Sequence, residues 1–283
     1  MIRSINLDGM FVPTQHSEIE FKMHKVNGGE IHIKLNNAID YSNIERVVIT
    51  HRIKNADDIM QVLICKDALY RKGVKVCDLV IPYIPYARQD RQCFNGESFT
   101  LKVFATLINN AKFDNVYVLD AHSDVAPALI DNCINLSNDQ YVAKAVKSIR
   151  DLNDDNEIFL ISPDAGSNKK ANGLFTRSNL FTELIKCDKR RNLSNGELSG
   201  FEVFSNGLSG KNCLIVDDIC DNGGTFMGLA EELKKKNCGK LYLFVTHSIM
   251  PNGADKLNEI FDGIYSTNSF RDIENIKQFK IQL

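Results

Sequence analysis

An apolar run that delivers adjacent carboxylates into a glycine turn constrains this chain more than any other feature. Cys213-Leu214-Ile215-Val216 has the length and character of a short buried strand, and Asp217-Asp218-Ile219-Cys220-Asp221-Asn222-Gly223-Gly224-Thr225 follows directly. Beyond the turn Phe226, Leu229, Ala230 and Leu233 recur at helical spacing, so the loop opens a helix. Gly223 and Gly224 let the backbone approach an anion closely, the helix start supplies N–H groups and the positive end of its dipole, and Thr225 adds a hydroxyl. Asp217 and Asp218 cannot serve that anion. Ionised carboxylates only accept hydrogen bonds, so their natural partners are vicinal hydroxyls or a hydrated cation. A furanose 5-phosphate offers hydroxyls at one end and phosphate at the other. The plainer reading, an acidic helix start behind a core strand, is the weaker one for the whole string in this setting.

Around this string, short apolar runs alternate with longer segments of helical period, which predicts an α/β fold with a largely parallel sheet. Strands are expected over residues 46–50, 79–84, 116–119, 158–161, 212–216 and 241–245. Helices are expected over 57–70, with Ile59, Val62, Leu63, Ala68 and Leu69 on one face, and over 100–111, with Leu101, Phe104, Leu107, Ile108 and Ala111. In each half a strand ends by handing acidic or basic groups to a loop: Asp120 and His122 after Leu119, Asp217 and Asp218 after Val216. The reading is a duplicated domain joined near the polar stretch 137–155, with an N-terminal domain over 1–140 and a C-terminal domain over 141–283. In such sheets ligands sit beyond the carboxyl ends of the strands, where all of these groups fall.

Composition is permissive. The chain has 283 residues, a formal net charge of −2 and 25% charged residues, which gives no support to a nucleic-acid or polyanionic-surface role. Any phosphate must therefore be held locally. Eight cysteines without a C-x-x-C pair, and a start without a basic segment and apolar run, lead us to expect a reduced, cytoplasmic protein without structural zinc. No run of some 18 apolar residues suggests a membrane span.

A second loop, Asp164-Ala165-Gly166-Ser167, follows a predicted strand. Gly166 in a tight turn can present backbone amides to a diphosphate, and Asp164 can hold a cation; a helix N-cap is the alternative role for Asp164 or Ser162. Asp188-Lys189-Arg190-Arg191, taken alone, is a solvated charge run.

The string around Asp217 resembles the phosphoribosyl-diphosphate (PRPP) binding motif of type I phosphoribosyltransferases and of ribose-phosphate diphosphokinases, or PRPP synthetases. Ile81-Pro82-Tyr83-Ile84-Pro85-Tyr86-Ala87-Arg88-Gln89-Asp90-Arg91 resembles the synthetase signature. Residues 118–123 (VLDAHS), 161–170 (ISPDAGSNKK) and 188–191 (DKRR) fall in that family's order at similar spacings, and the likeness covers roughly residues 20 to 270. It implies two similar phosphoribosyltransferase-like domains. It further implies that Asp217 and Asp218 hold ribose hydroxyls and that Asp221, Asn222, Gly223, Gly224 and Thr225 hold the 5-phosphate. Asp164, Ala165, Gly166 and Ser167 would form the diphosphate loop, with Asp164 and His122 on the metal. Glu30, Arg88, Gln89, Asp90 and His122 would face ATP, and Lys189 and Arg191, on a flap in the family, would be catalytic.

The implied reaction is transfer of the diphosphoryl group of ATP to the anomeric hydroxyl of ribose 5-phosphate, giving PRPP and AMP. Magnesium is the expected cofactor, because strongly charged groups must be brought together. A homo-oligomer, a dimer at least, is also implied. A non-catalytic regulatory homologue and a phosphoribosyltransferase that consumes PRPP are the alternatives.

The chain departs from the family pattern in four places. Gly28 stands where a side-chain amide is common, Ser167 where a second glycine is usual, and residues 92–99 are nearly neutral where several basic residues are common. The family also continues past the strand expected near residues 279–281 with a further helix. No general base is evident from the residues.

Overall fold

The computed structural model describes residues 1–11, 17–153, 157–191 and 198–282. The chain divides into two compact units. The first comprises Met1–Ser137 with Ser269–Arg271 and Lys280–Leu283, and the second comprises Asn138–Asn268 with Asp272–Phe279.

In the first unit the elements are β1 (Ile2–Asn6), β2 (Phe21–Lys25), β3 (Ile31–Leu35), β4 (Arg46–Thr50), α1 (Ala56–Arg71), β5 (Val76–Val80), α2 (Thr100–Asn110), β6 (Val116–Leu119), α3 (Val125–Leu129) and β7 (Cys133–Leu136). Five strands form a parallel sheet in the order β1-β4-β5-β6-β7, while β2 and β3 make a separate antiparallel ribbon. The strands expected at 46–50 and 116–119 form with those bounds. The one expected over 79–84 instead runs Val76–Val80. Pro82 and Pro85 have no N–H to give a ladder, so the apolar run beyond Val80 leaves the sheet and becomes loop. Helix α1 buries Ile59, Val62, Cys65 and Leu69 on one stripe, and α2 buries Leu101, Phe104, Ala105 and Ile108.

The second unit contains α4 (Asp139–Arg150), β8 (Ile158–Ser162), α5 (Asn168–Arg177), β9 (Glu183–Arg191), β10 (Leu198–Val203), β11 (Asn212–Cys220), α6 (Gly224–Lys235), β12 (Leu241–Ser248), α7 (Asp255–Asn258), β13 (Gly263–Thr267) and β14 (Lys277–Phe279). The stretch read as a polar join thus carries a helix, and α4 buries Tyr141, Val142, Ala145, Val146 and Ile149 at helical spacing. The sheet order is β10-β9-β8-β11-β12-β13-β14, parallel throughout except for the β9/β10 pair. Its central strands carry a buried apolar run: Leu160, Ile161, Cys213, Leu214, Ile215, Leu243 and Val245 are fully buried. A strand covered on both faces reads as a continuous apolar run, which is how these segments are written.

The sheet order of the second unit decides where its ligand crevice lies. From β8 the chain proceeds through α5 to β9 on one side; from β11 it proceeds through α6 to β12 on the other. The direction of winding therefore reverses between β8 and β11. Ligands of open α/β sheets bind at such switch points, outside the carboxyl ends of the strands. The order of the first sheet never reverses in this way.

Candidate active site

The loops that leave β8 and β11 flank the switch point, and they contain the two motifs singled out above. Strand β11 is longer than its apolar core. It pairs with β8 only from Asn212 to Ile215, but continues beside β12 to Cys220, opposite Ser248. Asp217 and Asp218 thus lie on strand, past the point where the β8 neighbour has gone, and not in a loop as the sequence suggests. Asp218 is buried and Asp217 half-buried. The Asp218 N–H donates to Asp217 Oδ1 at 2.9 Å. Burial first, then the charges of Asp218 and Asp164, push the Asp217 carboxyl well above the usual carboxylate range.

Past β11, Asp221 is half-buried and Asn222 exposed, and the turn closes on Gly223 in the left-handed region (φ 78°). A Cβ at 223 would also stand 2.8 Å from Leu257 Cδ2, so glycine is required on both counts. Gly224 and Thr225 then begin α6. Phe226, Leu229, Ala230 and Leu233 are its buried face, as their spacing predicts. The start of α6 has no side-chain cap and no acidic residue in its first turn. Helix α5 begins the same way, with no side-chain cap bond from Ser167 and no acid in its first turn. Helix α1 is the opposite case: Asn55 and Asp58 close a full capping box, and Asp57 and Asp58 occupy its first turn. The start of α6 is thus open to an anion, whereas the turn that leads into α5 is closed by Asp164. Asp164 Oδ1 accepts from the Ser167 N–H three residues on while its own N–H donates to Ser167 Oγ, the N-cap role offered above as the alternative for Asp164; α1 is likewise satisfied by its own side chains.

In the β8–α5 loop the Asp164 carboxylate is held from several sides. Its Oδ1 accepts from the Ser167 N–H and the Ser167 hydroxyl, each at 3.1 Å, and its Oδ2 accepts from Lys189 Nζ at 2.6 Å. Burial raises the Asp164 pKa, but Lys189 and Ser167 outweigh it and the carboxyl lies below its ordinary value. Ala165 and Gly166 are exposed at the tip of the turn. Lys189 sits on β9, opposite Phe201 of β10, so the charge run is in part a strand whose lysine reaches the Asp164 loop. The side chain of Arg191 lies outside the described residues.

One participant was missed from sequence. Lys170 Nζ stands 3.4 Å from Asp218 Oδ2. The signal was Lys169 and Lys170 together in the first turn of α5, where cations oppose the helix dipole and need an anion to justify them.

In the first unit the two signature loops follow β5 and β6, which are neighbours in the sheet. Arg88 and Gln89 are exposed, while the half-buried Asp90 accepts from the Ser123 hydroxyl at 2.7 Å and has Arg91 Nε 3.4 Å away. Asp90 therefore ties the β5 loop to the β6 loop, a role for Ser123 that its sequence did not announce. His122, next to Ser123, is exposed. Tyr86 (φ 61°) and Asp120 (φ 45°) are non-glycine residues in the left-handed region, one in each loop, so both loops hold an uncommon backbone. Glu30 is exposed in the β2–β3 turn. Its Oε2 lies 2.5 Å from where a Cβ at Gly28 would be, so the carboxylate covers the place of the side chain this chain lacks.

No group of three His, Cys, Asp or Glu side chains is arranged to hold a metal by itself among the described residues. Burial first, then the neighbouring charges of Asp218 and Asp164, disfavour the ionised form of Asp217, and carboxylate oxygens are the donors an oxygen-seeking divalent cation would take. Nor is any described helix long and apolar enough to cross a membrane.

Comparison with known proteins gives a consistent family. The family model for the N-terminal domain of ribose phosphate pyrophosphokinase matches residues 14–111, and that for the phosphoribosyl transferase domain matches residues 137–282. The ribose-phosphate pyrophosphokinase of Bradyrhizobium diazoefficiens is 35% identical over 233 residues, 80% of this chain and 72% of that protein. The Mycoplasmopsis pulmonis protein of the same name is 28% identical over 270 residues, 93% of this chain and 82% of that one. Among solved structures, phosphoribosylpyrophosphate synthetase from Mycobacterium smegmatis shares the fold, with a TM-score of 0.77 at 21% identity over 92% of this chain and 86% of that one.

Proposed function

The chain belongs to the ribose-phosphate pyrophosphokinase family, and from that premise we propose that it transfers the diphosphoryl group of ATP to the anomeric hydroxyl of ribose 5-phosphate, releasing AMP and PRPP. The observation that carries the reading is the uncapped start of α6 at the β8/β11 switch point, following directly on Asp217 and Asp218. The open start of α6 takes the 5-phosphate, the exposed backbone of the Asp164–Ser167 loop takes the diphosphate, and Asp217 and Asp218 accept from the ribose hydroxyls.

The roles follow from the chemistry of each group. Asp217 and Asp218 orient the sugar, with Lys170 holding Asp218. Asp221, Asn222, Gly223, Gly224 and Thr225 enclose the 5-phosphate. Ala165 and Gly166 bring backbone to the diphosphate. Lys189 and Arg191 stabilise charge as it moves onto the departing α-phosphate oxygen, where a lysine point charge and an arginine fork act best. Glu30, Arg88, Gln89 and His122 bind ATP in the first unit, with Asp90 keeping their loops in register through Ser123. Magnesium, when bound, would neutralise phosphate charge; Asp164 would be a ligand for it in the second unit, and His122 is the metal-side candidate of the first unit. We further propose that the protein works in the cytoplasm as a homo-oligomer, a dimer at least.

The isotope test is direct. With ATP labelled separately at the β and γ positions, both labels should move to the sugar and unlabelled AMP should remain. Transfer of the γ label alone, leaving ADP, would make the protein an ordinary sugar-phosphate kinase and overturn the proposal.

A further inference from the structure

Ser167 occupies the N-cap position of α5, where a serine hydroxyl ordinarily accepts from the backbone N–H two or three residues on. Here it makes no such bond. The hydroxyl is turned back into its own loop, 3.1 Å from Asp164 Oδ1 and 3.0 Å from the Asp164 carbonyl oxygen, and it accepts from the Asp164 N–H at 3.3 Å. The Ser167 N–H also donates to Asp164 Oδ1 at 3.1 Å. Ser167 itself is buried, with 8% of its surface exposed, so water competes poorly for these bonds.

The consequence concerns the two oxygens of Asp164. Oδ1 accepts from the Ser167 N–H and shares the single Ser167 hydroxyl proton with the Asp164 carbonyl oxygen, which restrains the rotation of the carboxylate. Oδ2 faces away from the loop and is taken by Lys189 Nζ at 2.6 Å. We propose that Ser167 is a positioning residue for diphosphoryl transfer, which restrains Asp164 so that Oδ2, the oxygen that accepts from Lys189, is the one presented to the divalent cation. The inference rests on Asp164 being a metal ligand, as read above. A residue without a hydroxyl at 167 keeps the backbone bond to Oδ1 and loses the second restraint, so the carboxylate can turn about its Cβ–Cγ bond.

The test is Mn2+ binding, followed by loss of the free-ion EPR signal, on full-length protein saturated with ribose 5-phosphate. Ribose 5-phosphate affinity is measured in parallel by calorimetry on wild type, Ser167→Ala and Asp164→Asn. The expected result is Mn2+ binding about tenfold weaker in Ser167→Ala, the size of effect that outer partners of metal ligands give, with sugar-phosphate affinity within about twofold of wild type. Equal losses of Mn2+ and ribose 5-phosphate would mean a general disturbance of the fold and would overturn the proposal. Unchanged Mn2+ binding in Ser167→Ala, with Asp164→Asn impaired, would overturn the role of Ser167 alone. Wild-type Mn2+ binding by Asp164→Asn would remove the ligand assignment itself and the proposal with it.

Discussion

At the scale of single residues, Lys189 and Asp217 carry the sharpest consequences. Lys189 is paired with Asp164, which places its charge at the Asp164–Ser167 loop. Its contribution is largest when charge moves onto the leaving phosphate. Lys189→Ala should lower kcat by about 100-fold or more, with the ribose 5-phosphate Kd changed by less than about threefold; steady-state kinetics with calorimetry separates the two, and equal losses would place Lys189 in ground-state binding. For Asp217 the sign follows from its raised pKa. Its proton is held more tightly folded than unfolded, so the stability it lends is fully present below the ordinary value of 3.8 and is lost as pH rises through the folded value. Ligand-free Asp217→Asn should therefore melt a few degrees higher than wild type at pH 7 to 8 and lose that difference at low pH, in thermal scans across the range. The same variant should bind ribose 5-phosphate more weakly. Asp217, Asp218 and Asp164 could be singled out as candidates because their motifs name them; the contacts of Lys170 with Asp218 and of Ser123 with Asp90 could not, because they depend on distances between loops that sequence spacing does not encode.

At the scale of elements, the site depends on how strands end and helices begin. Gly223 is the clearest test. Gly223→Ala must hold a side chain at φ 78° and displace Leu257, at a cost of about 1–2 kcal/mol, and it would distort the turn that starts α6. The expected outcome is a lower urea midpoint and a ribose 5-phosphate KM raised by about tenfold or more, with ATP KM little changed; an unaltered ribose 5-phosphate KM would remove the 5-phosphate role from this loop. The helix at α6 was readable because Phe226, Leu229, Ala230 and Leu233 mark a face and two glycines mark a start. Strand bounds were less readable. The run 79–84 is apolar throughout, and only the missing N–H groups of Pro82 and Pro85 reveal that its second half is loop. The extension of β11 to Cys220 depends on pairing with β12, a long-range contact that no local pattern announces. Helix α4 was hidden in a segment rich in Asp, Asn, Lys and Ser, where one apolar stripe is enough to bury a face.

At the scale of the whole molecule, two α/β units share one chain, each with its own apolar core. The duplication was visible in the repeated strand-then-acid pattern, whereas the return of Ser269–Arg271 and Lys280–Leu283 to the first unit was not, since it depends on tertiary packing alone. All eight cysteines are free thiols. Burial pushes the thiols of Cys77, Cys187 and Cys220 up to about 12 and that of Cys133 up to about 11, while Cys93 is exposed in the loop after Arg91. Native protein at pH 8 should therefore show a fast reaction with a thiol reagent at Cys93 that disappears in Cys93→Ser; survival of that phase would mean that one of the partly or fully buried thiols is accessible. PRPP synthesis is the activity proposed for this chain. Phosphorus NMR of the purified protein with ATP, ribose 5-phosphate and magnesium, beside the double variant Asp217→Ala/Asp218→Ala, tests it most directly. AMP and PRPP should appear together in equal amounts with wild type and be absent with the variant; no reaction, with nucleotide and sugar phosphate still bound, or consumption of added PRPP, would contradict it.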